Sequence, residues 1–179
     1  VFYLTEGTYP ACGEIHFLNE ETGVWDTYIY NTLNPGQVTG ITTQFASIYG
    51  DNFYFMSKQQ NRLVIVDKTT LAQRKSFKYI YTKSENKKVM DGRAFLGVDE
   101  NTGYVGTSSG ICVVKFDELL AAQADANKVV QELPYTPIAG TESEGGETDG
   151  EVDEEGNPLD PNLYINQIGT MIRVGDRVF

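Results

Sequence analysis

The chain has 179 residues, enough for a domain with a real core, and 40% of them are hydrophobic and 12% aromatic. Acidic residues outnumber basic ones 25 to 14, for a net charge of −11, a surface that repels phosphate backbones and argues against nucleic-acid binding. No apolar run approaches the ~20 residues needed to span a bilayer.

The chain opens directly in a strand-like "VFYL", with no signal segment, and reads as a mature or trimmed polypeptide. A loop, "GTYPACG" (7–13), leads to a second strand, "EIHFL", and then to the polar turn "NEETG". The next unit is fuller. "FASIY" and "FYFMS" are joined at Gly50-Asp51, "RLVIV" follows, "DKTT" turns the chain, and "AQRKSFKYI" completes four short strands. A third unit runs through "AFLGVDENTG", "YVGTSSG" and "ICVVKFDE" to "DELLAAQADANKV", a short helix inserted between strands. The acidic stretch "TESEGGETDGEVDEEGNPLDPN" (141–162) interrupts the pattern before "MIRVGDRVF" resumes it. That stretch lengthens the third unit by about 23 residues.

These units are copies of one another. Phe2-Tyr3 matches Phe53-Tyr54, and the turn residues Asn19, Asp67 and Asp117 fall at intervals of 48 and 50 residues. The third strand of a unit is apolar at nearly every position, as in Leu63, Val64, Ile65 and Val66, which predicts burial on both faces. The fourth strand alternates and reads as an outer edge. Four antiparallel strands recurring every ~40–50 residues predict an all-β chain of β-propeller blades, preferred over a β-sandwich because the order of turn types repeats as well. Val64 and Val113 are then expected in separate sheets. The expected boundaries are a partial blade at 1–33, blades at 41–80 and 92–134, the acidic insertion at 141–162 and the start of a further blade at 163–179. That is about three blades of a larger ring, expected to be seven-bladed, so the chain reads as a fragment.

The segment "FYFMSKQQNRLVIVDKTTLAQRKSF" resembles the YncE-like propeller repeat. The opening "VFYLTEGTYPACGEIHFLNEETG", with Leu4, Glu6 and Gly7 in matching places and Thr5 where Asn is usual, resembles the DUF5074-type surface propellers of Bacteroidetes, related to the corrinoid-capturing BtuG lipoproteins. The resemblance covers nearly all of the chain outside 141–162. It implies a secreted or lipid-anchored protein at the cell surface or outer membrane. Such a protein would bind a small molecule or glycan, a corrinoid among them, and work with an outer-membrane transporter. Blade motifs are structural, so they speak for the fold more than for the ligand.

Blade topology gathers the long loops 7–13, 34–42, 58–61, 81–93, 108–110 and 135–162 on one face, and leaves the other to tight turns and the helical insertion. Binding residues belong on such loops. The candidate contacts are Tyr9, Gln59, Gln60, Asn61, Tyr81 and Arg93, although most of them read as well or better as solvated loop residues. Glu151, Asp153 and Glu155 before Gly156 faintly resemble a calcium loop, the one cofactor the sequence suggests, although no Glu stands at the twelfth position. The single histidine, His16, lies in a strand expected to be buried, and no catalytic Ser, Cys or His motif accompanies it. A non-enzymatic binding protein is therefore expected. The competing readings are a metal-assisted hydrolase or lactonase and a protein–protein scaffold. Cys12 and Cys112 fall in different units, which disfavours a disulfide between them.

Overall fold

A computed structural model describes residues 1–85, 87–141, 156 and 166–179. Calcium-loop candidates Glu151, Asp153 and Glu155 lie outside the described residues.

The chain is all-β, built of antiparallel blades that follow one another in sequence. Strands β1 (Phe2–Thr5), β2 (Glu14–Leu18) and β3 (Trp25–Asp26) form the first sheet, which a one-turn helix α1 (Ile29–Leu33) follows. The second sheet contains β4 (Ile41–Tyr49), β5 (Asn52–Gln59), β6 (Leu63–Asp67) and β7 (Gln73–Tyr81), with a short β8 (Val89–Met90) on the end of β7. The third contains β9 (Gly92–Asp99), β10 (Thr102–Thr107) and β11 (Gly110–Lys115), and α2 (Phe116–Ala121) comes next. Strand β12 (Val129–Glu132) then pairs in parallel with β7 of the preceding sheet, while β13 (Thr136–Pro137) takes the place beside β11. The outer edge of β7 is thereby covered, which satisfies backbone groups an open edge would leave exposed. A hairpin of β14 (Arg173–Val174) and β15 (Arg177–Val178) closes the described chain. Gly175 in its turn has φ 63°, as Gly50 has φ 56° in the turn between β4 and β5. Glycine adopts that left-handed conformation without steric cost.

The middle sheet explains why "RLVIV" is apolar throughout. Successive side chains of a strand point to opposite faces. Phe53, Phe55, Val64 and Val66 pack with Ile15 and Tyr30 on the side of the first sheet. Tyr54, Met56, Leu63, Ile65 and Phe77 pack with Phe95, Val105, Cys112 and Val114 on the side of the third. Val64 and Val113 accordingly stand in different sheets. Each Val, Leu, Ile or Phe so buried contributes about 1.5–3 kcal/mol.

Backbone pairing corrects one sequence match. Leu4 pairs Ile15 as Met56 pairs Leu63, so Phe2 occupies the place of Tyr54, one residue away from the match of Phe2-Tyr3 with Phe53-Tyr54. A one-residue slip exchanges the faces of a strand. Phe2 therefore packs against Phe53, ring centroids 5.4 Å apart, and Tyr3 turns to the opposite, open face beside Trp25.

The turns repeat only in part. Oδ1 of Asn19 accepts the N–H groups of Glu21 and Thr22, and Oδ1 of Asp67 accepts those of Thr69 and Thr70. Asp117, aligned with both in sequence, lies instead in the first turn of α2, where an acidic side chain suits the helix dipole. Cys12 and Cys112 are both free thiols, Cys112 in the core.

Candidate functional site

The ends of β1, β5 and β10, and the starts of β4 and β9, come together on one face. Gly13 N–H donates to the Gly40 carbonyl, Thr43 N–H to the Glu6 carbonyl, and Ser108 N–H to the Asp91 carbonyl. These bonds join the loops into one surface.

A chain of polar side chains crosses that surface from unit to unit. Gln44 Nε2 donates to Glu6 Oε1 at 3.2 Å, and Arg93 Nη1 donates to Gln44 Oε1 at 3.0 Å. Arg93 Nη2 reaches both Gln167 Oε1 at 3.0 Å and Asp91 Oδ2 at 2.9 Å. Glu6, Gln44, Arg93 and Gln167 come from four successive parts of the repeat. Glu6, Gln44 and Gln167 are exposed, whereas the side chains of Arg93 and Asp91 are only 11% and 15% exposed. Gln44 owes its place to a register shift between Thr43 and Phe45 in the β4–β5 ladder. A bulge of this kind re-aims a side chain that regular alternation would send elsewhere.

Electrostatics fix the middle of the chain. Burial pushes the Asp91 carboxyl above the usual carboxylate range, and the nearby Arg93, Arg62 and Lys58 pull it back. Arg93 Nε is buried and makes no hydrogen bond. The surrounding guanidinium, carboxylate and carboxamides offer donors and acceptors to a polar ligand.

The sequence candidates divide into three groups. Arg93 is the centre of the polar chain. Tyr9 is 53% exposed on the loop that begins at Glu6, and that loop is tied to Gln60 by the Cys12 thiol, which donates to Gln60 Oε1 at 3.2 Å. Gln59, half-buried, ends β5 opposite Ile41. Asn61 is buried, and its Nδ2 donates to the Val38 carbonyl at 2.8 Å, so its side chain pins one loop to another. Tyr81 stands apart at the outer end of β7, where its ring lies 5.3 Å from that of Tyr79 and its carbonyl accepts the Tyr135 hydroxyl. Gln44, Asp91 and Gln167 carry no mark in the sequence, and Glu6 stands out there only for its match to the family's opening. A Gln near a strand end carries no signal of its own, and the bulge that aims Gln44 has no sequence signature.

Two clefts lie near this face or below it. One, of about 160 Å³, is lined by Cys12, Glu14, Tyr28, Tyr30 and Thr39 among others. In it the buried Glu14 carboxylate accepts the N–H groups of Tyr30 and Asn31 at the start of α1, at 3.1 and 3.2 Å. The other, of about 250 Å³, lies between Leu33, Gln37, Gln73 and Lys128. Both fall below the ~300 Å³ at which clefts begin to hold drug-sized ligands. The open polar chain is the better candidate.

His16 is packed. Its ring stacks on Trp25 at 5.8 Å and 7°, one nitrogen lies 3.2 Å from the Thr5 hydroxyl, and the other accepts the Tyr28 N–H at 3.4 Å. Among the described residues no group of three His, Cys, Asp or Glu side chains is placed to hold a metal ion.

A family model described as a domain of unknown function (DUF5074) matches residues 1–131, and the chain belongs to that family. No curated protein matches the chain.

Proposed function

We propose that this member of the DUF5074 family is a ligand-capturing propeller of the cell surface, secreted or lipid-anchored. It takes a small polar molecule or glycan at the face carrying Glu6, Gln44, Arg93 and Gln167 and works beside an outer-membrane transporter. The observation that supports this reading is the polar chain itself. Side chains from four successive parts of the repeat meet at one level, each with donors or acceptors open to solvent except for the anchored Arg93. Residues on separate loops of a rigid sheet scaffold are placed to contact one ligand together. Tyr9, exposed on the loop beginning at Glu6, adds an aromatic ring that can stack on a sugar or corrin face.

Isothermal titration of the chain with a corrinoid, a siderophore and neutral oligosaccharides tests the reading. One class should bind with a Kd on the order of micromolar. The Gln44→Ala, Arg93→Ala double variant should weaken that binding about tenfold, the loss expected from removing a charged hydrogen bond. Binding of no class, or equal affinity in the folded double variant, rejects this face as the site.

A further inference from the structure

Charge is sharply segregated along this chain. Residues 58–93 contain ten of the 14 basic residues and three of the 25 acidic ones, for a local charge of +7. The remainder of the chain carries −18. The positive stretch is mostly β6, β7 and the connection to β9, and its most exposed part is the rim beyond the outer end of β7. Lys83 and Lys87 have side chains 41% and 59% exposed there. Behind them Arg62 is 1% exposed, its Nε donating to the Met90 carbonyl and its Nη1 to the Lys78 carbonyl, both at 2.9 Å. A guanidinium held by carbonyls in the interior reinforces the field of the lysines outside.

The rim also shows what it pairs with. Glu132, on β12, brings one carboxylate between the two lysines, 3.0 Å from Lys87 Nζ and 3.9 Å from Lys83 Nζ. Aromatic rings lie under the same ammonium groups, Tyr135 at 4.2 Å from Lys83 and Tyr81 at 5.5 Å from Lys87. The Tyr135 hydroxyl is tied to the Tyr81 carbonyl at 2.6 Å, so the two rings are fixed relative to each other. Such rings hold lysine head groups by cation–π attraction and limit the freedom lost when a second carboxylate arrives.

We propose that this rim, centred on Lys83 and Lys87, is a docking surface for an acidic polypeptide segment. Three features favour that occupant over other polyanions. The lysines are compact point charges, suited to scattered carboxylates, whereas arginine forks suit phosphates. The −18 carried by the rest of the chain repels a long, uniformly charged polymer such as nucleic acid more than it repels a short acidic stretch. Among the described residues, no large hydrophobic side chain between positions 49 and 119 is exposed, so nothing at the rim would insert into a bilayer.

The test uses a fluorescently labelled polyglutamate peptide and the full chain, read by anisotropy at about 50 mM salt, where the Debye length still spans the patch. Binding should weaken about tenfold in Lys83→Glu, Lys87→Glu, and each of the milder Lys83→Gln and Lys87→Gln variants should show a smaller loss. The control Lys115→Glu, Arg177→Glu makes the same change in net charge at exposed positions elsewhere and should stay within about twofold. Far-UV circular dichroism checks that every variant is folded. Absent binding by the unaltered chain, an equal loss in the control, or no loss in the two glutamine variants overturns the proposal. So does tighter, rim-dependent binding of heparin or of phosphatidylglycerol vesicles, which would identify a glycan or a membrane as the occupant.

Discussion

The ring of Tyr49, at the end of β4, lies against the α-carbon of Gly97 in β9, so close that a β-carbon on Gly97 would sit 2.1–2.3 Å from ring atoms. This contact joins the inner strands of two successive sheets. An aromatic ring cannot fold out of the way as the end of a flexible chain can. Gly97→Ala should destabilise the protein by about 1–3 kcal/mol, the usual effect of overpacking. Tyr49→Leu combined with Gly97→Ala should recover part of the loss. Equal chemical denaturation midpoints for Gly97→Ala and the unaltered chain would refute the close approach.

Leu63 is fully buried between the second and third sheets. Leu63→Ala should cost about 2–5 kcal/mol by removing contacts and leaving a cavity. Val174, 61% exposed in the terminal hairpin, should tolerate alanine within about 0.5 kcal/mol. Thermal unfolding of the two variants side by side checks the contrast.

The Thr70 N–H, then Arg74 and the Thr69 N–H, hold the Asp67 carboxyl well below the usual carboxylate range. A group whose folded pKa is depressed adds stability above its unfolded pKa and loses it as pH falls. Asp67→Asn keeps the turn, because Asn19 makes the same pair of bonds in the first unit. The variant lacks the charge and the ion pair to Arg74, so it should be less stable than the unaltered chain at neutral pH and lose less stability on acidification below about pH 4, where the two converge. A pH series of urea unfolding measures both slopes, and parallel slopes would contradict the assignment.

Removing Arg93 should act in the opposite direction with pH. Burial raises Asp91, so the folded chain holds that proton to higher pH than the unfolded chain, and stability falls as pH rises through the folded value. Arg93→Ala deletes the largest effect that pulls Asp91 back and leaves a carboxylate only 15% exposed without its ion pair. A loss of about 1–3 kcal/mol is expected, greater near about pH 8 than near about pH 4. A loss independent of pH would show that Asp91 does not titrate in this range.

The buried Glu14 carboxylate caps α1 from a neighbouring strand. Glu14→Ala would leave the N–H groups of Tyr30 and Asn31 without that acceptor and should cost about 1–2 kcal/mol. Glu14→Gln, which keeps one acceptor oxygen, should cost less. Guanidinium unfolding of the two variants tests the order.

By itself the sequence determined the blade. Leu63 to Val66, apolar without alternation, can only be buried on both faces, and the structure uses the two faces against two different neighbouring sheets. Asn19 and Asp67 also declared their turns, because an Asx side chain bonds to backbone within its own few residues. The meeting of loops 7–13, 34–42 and 58–61, and of 81–93 with 108–110, was legible as well, because strand order alone fixes which loops share a face. What depends on partners distant in the chain was decided only by tertiary structure. The register of β1 follows from pairing with β2 across an eight-residue loop, and the local likeness of Phe2-Tyr3 to Phe53-Tyr54 could not set it. Strand β12 joins β7 because Val130 and Leu133 find the core between the second and third sheets. Gln44 meets Glu6 and Arg93, 38 and 49 residues away, through a bulge that no residue type announces. A bulge settles where two strands of unequal path must pair, and that condition exists only once both strands are in place.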